Sequence, residues 1–308
     1  MAYRILTTCS SFGKVDPKTL SLLEDAGFEV VNNPHGRKLT KEESLELMPG
    51  FEGMIAGTEK LDREALANAP GLKYICRLGT GMDNVDMEAA REMGVVVENT
   101  PDAHVKGVAE ITLAGILTLA RHLHLADARL KNGVWKKHMG RLLEGKKIGL
   151  IGLGRVARHL VRLLQPFEPE ICAIDPYPDT DFAEKYGIKW VEKDELMSQC
   201  DIISLHIPYT AENDNYIDAR EFGLMKDNVM LINASRGGLV NEDELFSFLS
   251  KNTQAFAFFD TFRQEPYDGP LTTLDNVLLT PHIGSSANET RIEMEMAAAR
   301  NVINHFSK

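Results

Sequence analysis

Apolar residues along this chain alternate between two periods. Short aliphatic runs of four or five residues are each followed by a stretch in which apolar positions recur at helical spacing. The runs are Arg4–Thr7, Gly53–Ala56, Lys73–Cys76 and Val95–Glu98, then Lys147–Ile151, Ile171–Ile174, Ile202–His206, Val229–Asn233, Ala255–Phe259 and Val277–Thr280. Runs this short and this apolar predict strands buried on both faces, and strands that alternate with helices predict right-handed βαβ units in parallel sheets. One sheet rarely takes so many strands. The gap between residues 98 and 147 divides them into a smaller and a larger stack, giving an α/β chain with two doubly wound parallel-sheet domains.

The gap is filled by 102–131, with apolar positions at Val105, Val108, Ile111, Leu113, Ile116, Leu117, Leu119, Leu123 and Leu125. That is too apolar for a solvated helix, and predicts packing against more than one partner. Thr100-Pro101 just before it reads as a hinge, because the residue preceding proline resists helical dihedrals. At the far end, Ser286-Ala-Asn-Glu289 has the form of a capping box and opens a helix with Ile292, Met296, Ala299, Ile303 and Phe306 on one face. A closing helix needs a sheet to cover. The expectation is that it returns to the first stack, so that residues 1–99 and 285–308 form one domain and 100–284 another, inserted.

Composition narrows the functional classes. The chain of 308 residues carries 45 acidic and 34 basic side chains, a formal net charge of −11, whose summed field disfavours polyphosphate and anionic lipid surfaces as partners. Nucleic acid and membranes are therefore not expected, whereas a small anion is not excluded, because a few local cations can override the mean field inside a cleft. The longest apolar run, Leu113 to Ala120, falls short of a membrane span, and the first residues lack a signal-peptide core. Cys9, Cys76, Cys172 and Cys200 lie in apolar stretches with no Cys-x-x-Cys pair, so they read as reduced core thiols of a cytoplasmic protein, with no metal site.

The stretch Lys147-Ile-Gly-Leu-Ile-Gly152-Leu-Gly154-Arg155-Val156-Ala157 is a buried strand turning through two glycines into a helix. Gly152 allows the tight turn, Gly154 the approach of a pyrophosphate, and Ala157 close helix-to-strand packing. A helix N-terminus there directs N–H groups and the positive end of its dipole at phosphate. Asp175 ends the next strand, 21 residues after Gly154, where a carboxylate meets the adenosine ribose hydroxyls. NAD is the expected cofactor. The same carboxylate repels a ribose 2′-phosphate, and Pro176-Tyr-Pro-Asp179 offers no cation to neutralise one.

Three further strand ends carry polar residues: Asn233-Ala234-Ser235-Arg236-Gly-Gly238, Asp260-Thr-Phe-Arg-Gln-Glu265-Pro266, and Thr280-Pro-His282-Ile-Gly284-Ser285. Together with Gly79-Thr80-Gly-Met-Asp-Asn-Val-Asp86, Asn99-Thr-Pro101, Val108-Ala-Glu110, the glycine turn and His206-Ile207-Pro208, this ordered series resembles the D-isomer-specific 2-hydroxyacid dehydrogenases over essentially the whole chain. The resemblance implies a Rossmann NAD-binding domain inserted into a flavodoxin-like substrate domain, with the active site between them. It implies that Arg236 holds the substrate carboxylate and C2 oxygen, that His282 moves the C2 hydroxyl proton, and that Glu265 pairs with His282. The cofactor is implied to run along Gly152, Gly154, Arg155, Val156, Asp175, His206, Ile207, Pro208, Ala234, Ser235, Arg236, Asp260, His282 and Gly284, with Asp260 at the nicotinamide carboxamide.

Arg77 to Asp86 and Trp135 to Gly140 look most like the 3-phosphoglycerate dehydrogenase branch. The resemblance implies substrate contact by Arg77, Leu78, Gly79 and Thr80, the backbone N–H groups of the last three meeting the carboxylate and Arg77 facing a phosphate. It also implies a homodimer formed through 102–131. Two departures bear on the substrate. Gly57-Thr-Glu59-Lys60 follows the second strand where such enzymes often carry another phosphate-binding arginine, so that Lys60 or Arg141 of the partner subunit would have to replace it. The chain also ends after the last helix, so a serine-sensing regulatory domain is not expected. 3-Phosphoglycerate leads as substrate, with hydroxypyruvate, glyoxylate or another 2-oxo acid as the alternative. A non-catalytic NAD-sensing scaffold of the co-repressor kind is the rival from another class, and formate or phosphite oxidation a remoter one.

Overall fold

Across residues 2–307, which the computed structural model describes, the aliphatic runs become two all-parallel sheets. Met1 and Lys308, the end points of the expected first domain, lie outside the described residues. One unit ends at His104 and resumes at Ser286; the other runs Val105–Ser285.

The first unit is built on β1 (Arg4–Thr7), β2 (Glu29–Asn32), β3 (Gly53–Ala56), β4 (Tyr74–Arg77) and β5 (Val96–Asn99), in the order β2-β1-β3-β4-β5. Successive residues face opposite sides of the sheet. Ile5, Ile55, Tyr74 and Cys76 pack with Leu23, Met294, Ala298, Ala299 and Val302 on one face, and Leu6, Met54, Ile75 and Ala56 with Met48, Leu66, Ala89 and Ala90 on the other. Both faces are covered, which is why these strands read as unbroken apolar runs. The edge strand β2 alternates weakly, with its outer residues exposed, and gave no run to recognise.

The last helix, Asn288–Phe306, packs on β3, β4 and the helix Lys18–Asp25. One expectation about it fails. Its N-cap is Ala287, with no side-chain cap, so Ser286 and Glu289 make no capping box. The expected face holds in part: the buried stripe is Thr290, Met294, Ala298 and Val302 with Glu295 and Ala299, Ile303 and Phe306 pack against the same cluster, and Ile292 and Met296 are half-buried. Glu295 sits inside because Arg291 Nε (2.9 Å) and the Gly13 N–H (2.9 Å) pair its carboxylate.

The second unit holds β6 (Lys147–Ile151), β7 (Glu170–Ile174), β8 (Lys189–Trp190), β9 (Ile202–Leu205), β10 (Met230–Asn233), β11 (Phe256–Phe259) and β12 (Val277–Leu279), ordered β12-β11-β10-β9-β6-β7-β8. The chain reverses direction across the sheet between β6 and β9, so the crevice for a ligand opens at the carboxyl end of β6. The segment 102–131 is not one helix. It forms Val105–Arg121 and Leu123–Lys131, broken at His122, whose φ of 54° is left-handed. The first piece buries Ala109, Ile116, Leu119 and Ala120 against this sheet; the second buries nothing. No helix among the described residues is long and apolar enough to cross a membrane.

Candidate active site

Three neighbouring strands, β10, β11 and β12, deliver the polar loops of the second unit to one sheet edge. His282 Nδ1 lies 2.9 Å from Glu265 Oε2 and 3.1 Å from Oε1. A carboxylate accepts only, so the proton on this side sits on Nδ1 and Nε2 is left to exchange one with a substrate. The side chains are 42% and 35% exposed, open enough to meet a ligand. Glu265 Oε1 is further anchored by the Phe262 N–H at 3.1 Å.

The His282 loop is held by a residue that sequence reasoning gave another task. Asp260 has no exposed surface. Its Oδ1 accepts from Thr280 Oγ1 (2.5 Å) and the Ile283 N–H (2.8 Å), its Oδ2 from the Gly284 N–H (2.8 Å). Those bonds clamp both sides of His282, which adopts a left-handed φ of 53°, a conformation costing on the order of 1–3 kcal/mol unless its surroundings impose it. In this structure Asp260 therefore positions the histidine.

Arg236 follows β10 on a loop organised by buried Asn233, whose Oδ1 accepts from the Ser235 N–H and hydroxyl and whose Nδ2 donates to the Arg236 carbonyl at 2.8 Å. Arg236 Nη1 donates to the Ser235 carbonyl at 2.7 Å. The loop lies against the next: a Cβ on Gly237 would meet the Arg263 nitrogen at 2.5 Å, so only glycine fits. Ala234 is buried and Ser235 half-buried.

At the carboxyl end of β6, Gly152 has φ 88°, and a Cβ there would lie 2.8 Å from the His206 carbonyl oxygen. Gly154 caps the helix Arg155–Leu164, which has neither a side-chain cap nor an acidic residue in its first turn; no atom comes within 4 Å of a Cβ built on Gly154. An uncapped, acid-free helix start with open space above it fits a phosphate group. Asp175 Oδ2 accepts from the Leu153 N–H and Oδ1 from the Tyr177 N–H, both at 2.8 Å, which fixes the carboxylate beside the glycine turn. Arg155 is exposed and Val156 half-buried on that first turn. His206 Nε2 bonds Ser204 Oγ at 2.9 Å, and burial pushes its pKa down to about 4, so it is neutral near pH 7; Ile207 and Pro208 lead away from it.

In the first unit, by itself, the loop after β4 corrects one expectation. The Leu78 N–H continues the sheet ladder to the Ala56 carbonyl (2.9 Å) and the Gly79 N–H donates to Thr100 Oγ1 (2.8 Å). Neither is open to a substrate carboxylate. The N–H groups of Thr80 and Gly81 have no acceptor among the described residues. Gly79 has φ 126°, and a Cβ there would lie 2.6 Å from Arg77 Nη1, so the guanidinium packs over the loop; Arg77 also donates to the Leu78 carbonyl and, at 3.4 Å, to Asn84 Oδ1. The two residues expected to substitute for a second phosphate cation have these surroundings within the chain. Lys60 is 75% exposed beside Asp62, and Arg141 donates to the carbonyls of Asn228 (2.5 Å) and Gln254 (3.0 Å) in its own unit. Among the described residues no group of three or more His, Cys, Asp or Glu side chains is arranged to hold a metal ion.

Residues 113–284 match the family model described as D-isomer specific 2-hydroxyacid dehydrogenase, NAD binding domain. Among curated proteins, a D-3-phosphoglycerate dehydrogenase of Archaeoglobus fulgidus is 37% identical over 271 residues, 86% of this chain and 51% of the relative. A glyoxylate reductase of Thermococcus litoralis is 37% identical over 256 residues, 80% of this chain and 77% of the relative. A crystal structure of a D-isomer specific 2-hydroxyacid dehydrogenase described as putative, from a Polaromonas species, superposes with a TM-score of 0.90 at 27% identity, covering 100% of this chain and 97% of the other. The chain spans about half the length of the phosphoglycerate dehydrogenases it matches.

Proposed function

The chain belongs to the D-isomer specific 2-hydroxyacid dehydrogenase family, and on that premise we propose that it transfers a hydride between NAD and C2 of a small D-2-hydroxy acid or its 2-oxo acid. The observation that carries this reading is the His282–Glu265 pair beside the Arg236 loop at one sheet edge. The nicotinamide, when bound, gives or takes the hydride; the remaining work falls to the chain.

In the reductive direction His282 Nε2 donates its proton to the C2 oxygen, and in the oxidative direction it takes the proton back. Glu265 holds Nδ1–H and stabilises the imidazolium. Arg236 offers a planar fork of donors to the carboxylate and C2 oxygen, a geometry an ammonium cannot copy. Within the first unit, the Thr80 and Gly81 N–H groups are donors open to an anion. The uncapped helix at Gly154 receives the pyrophosphate, and Asp175 accepts from the ribose hydroxyls and disfavours a 2′-phosphate, which selects NAD over NADP.

The relatives' names and Arg77 support 3-phosphoglycerate and 3-phosphohydroxypyruvate as one substrate pair; hydroxypyruvate and glyoxylate form the other. The homodimer reading is supported by an exposed apolar stretch, Leu130, Val134, Trp135, Met139 and Leu142, which suits a second copy. Gel filtration at twice the chain mass is the expected behaviour. An NADH-linked panel of 3-phosphohydroxypyruvate, hydroxypyruvate, glyoxylate and pyruvate tests the reaction. Turnover of at least one, abolished in His282→Ala with NADH binding retained, is expected. NADH binding without reduction of any 2-oxo acid would instead make the chain a nucleotide-sensing scaffold.

A further inference from the structure

The segment after β3 is the part of the first unit with no role in the reaction above, and it holds a buried carboxylate. Glu59 is 4% exposed. Its Oε1 accepts from the Thr8 hydroxyl and from the Gly57 N–H at 3.1 Å, while Oε2 accepts no hydrogen bond among the described residues. Thr8 follows β1 and Gly57 follows β3, and these two strands flank the point where the sheet order β2-β1-β3-β4-β5 reverses direction, the place where parallel α/β sheets receive ligands.

The carboxylate occupies the volume above Gly57: a Cβ built there would lie 2.9 Å from Glu59 Oε2. A side chain at residue 57 would require the Glu59 carboxylate to shift. The neighbouring loop is tied to it, since Asn84 Nδ2 donates to the carbonyls of Glu59 (2.7 Å) and Gly57 (3.3 Å) and Asn84 Oδ1 accepts from Arg77. Glu59 thus stands on the loop that follows β3, the strand next in the sheet to β4, whose following loop carries Thr80 and Gly81. Its negative charge is felt locally. Burial foremost, and Glu59 next, push the Cys9 thiol up to about 12.

We infer that Glu59 is a specificity-determining residue, its open Oε2 accepting a hydrogen bond from a neutral, hydroxyl-bearing substituent on C3 of the 2-oxo acid and excluding a phosphate there. This rests on the dehydrogenase reading above and decides between its two substrate pairs. On this inference, a substrate whose carboxylate meets the Thr80 and Gly81 N–H groups turns its C3 substituent toward the neighbouring loop that follows β3. A hydroxymethyl group supplies the donor that Oε2 lacks. A phosphate brings like charge against a desolvated carboxylate, and Arg77, already engaged with Leu78 and Asn84, is on the β4 side.

The test compares kcat/KM with NADH for hydroxypyruvate, pyruvate and 3-phosphohydroxypyruvate, in the unaltered protein and in Glu59→Gln. The unaltered protein is expected to favour hydroxypyruvate over its phosphate by about 10²-fold or more, and over pyruvate by about 10-fold. Glu59→Gln, which keeps the shape and removes the charge, should narrow the first ratio at least ~10-fold through a lower KM for the phosphate. Equal or better use of 3-phosphohydroxypyruvate by the unaltered protein overturns the inference whether or not the variant folds, and leaves the dehydrogenase reading standing. An unchanged ratio in a folded Glu59→Gln overturns it as well. Failure to reduce any 2-oxo acid while NADH binds overturns the dehydrogenase reading and this inference with it.

Discussion

Replacing Asp260 by asparagine tests whether the His282 loop is held as described. The carboxylate accepts three hydrogen bonds with no contact to solvent, two at Oδ1 and one at Oδ2. An amide keeps one acceptor oxygen. Its better orientation preserves the Thr280 and Ile283 bonds and turns its NH2 toward the Gly284 N–H, donor against donor. The loss is one charge-assisted bond, about 1.5–3 kcal/mol, and a buried N–H left without an acceptor, about 1–3 kcal/mol more. The expected cost is therefore about 3–5 kcal/mol, a large share of the 5–15 kcal/mol typical of a folded domain. With one clamp gone, the left-handed conformation of His282 is no longer imposed, and misplacement of the imidazole should lower kcat by about 10²-fold. Thr280→Val is the graded control, removing one hydroxyl bond and leaving both N–H bonds, with a loss of about 1 kcal/mol. Urea denaturation followed by circular dichroism gives the stabilities, and single-turnover NADH oxidation gives the rate. An Asp260→Asn protein within 1 kcal/mol of the parent (on the ~1 kcal/mol scale of a single hydrogen bond) and with kcat reduced less than about threefold would refute the positioning argument.

Two further outcomes follow from the second unit. Asp175→Ala removes the acceptor of the Leu153 and Tyr177 N–H groups and should lower the ratio of NADH to NADPH efficiency at least ~10-fold; an unaltered ratio removes Asp175 from cofactor selection. His206 titrates near 4 when folded and near 6.5 when unfolded, so below pH 6.5 the unfolded chain binds a proton that the native state does not. Stability is then present above pH 6.5 and lost as pH falls toward 4. Urea midpoints should report a loss of about 2 kcal/mol between pH 7 and 5, largely absent in His206→Gln; equal pH slopes in the two proteins would show that His206 is not the group responsible.

The parallel sheets were legible because strands covered on both faces carry no polar positions, and ten runs separated by helical periods admit few other arrangements. The two strands missed, β2 and β8, are edge strands, one half exposed and one only two residues long. There the apolar signal is absent by physical necessity. The break at His122 gave no clear signal either, since a histidine inside an apolar helical period does not by itself mark left-handed backbone. The buried face of the last helix was read only in part, since Ala299, Ile303 and Phe306 pack on the core but apolar periodicity took no account of Glu295, which is buried by virtue of partners at Gly13 and Arg291.

The site divides in the same way. Gly152, Asp175, Arg236, Glu265 and His282 stand at strand ends or on the loops that follow them, where parallel sheets meet their ligands, and their residue types raise the expectation of phosphate, ribose, carboxylate and proton chemistry. What sequence does not contain is which polar atoms the fold has already used. The Leu78 and Gly79 N–H groups are taken by Ala56 and Thr100, Asp260 is taken by the loop across from it, and Cys172 and Cys200, 28 residues apart, lie with sulfurs 3.3 Å from one another. Glu59 reads as an ordinary loop acid until Thr8 and Gly57 draw it inside. Local pattern determined the elements, the cofactor turn and the family chemistry, because those depend on residues close in sequence or fixed to strand ends. Availability, burial and charge at each atom depend on partners brought from dozens of residues away, and those only the tertiary structure decided.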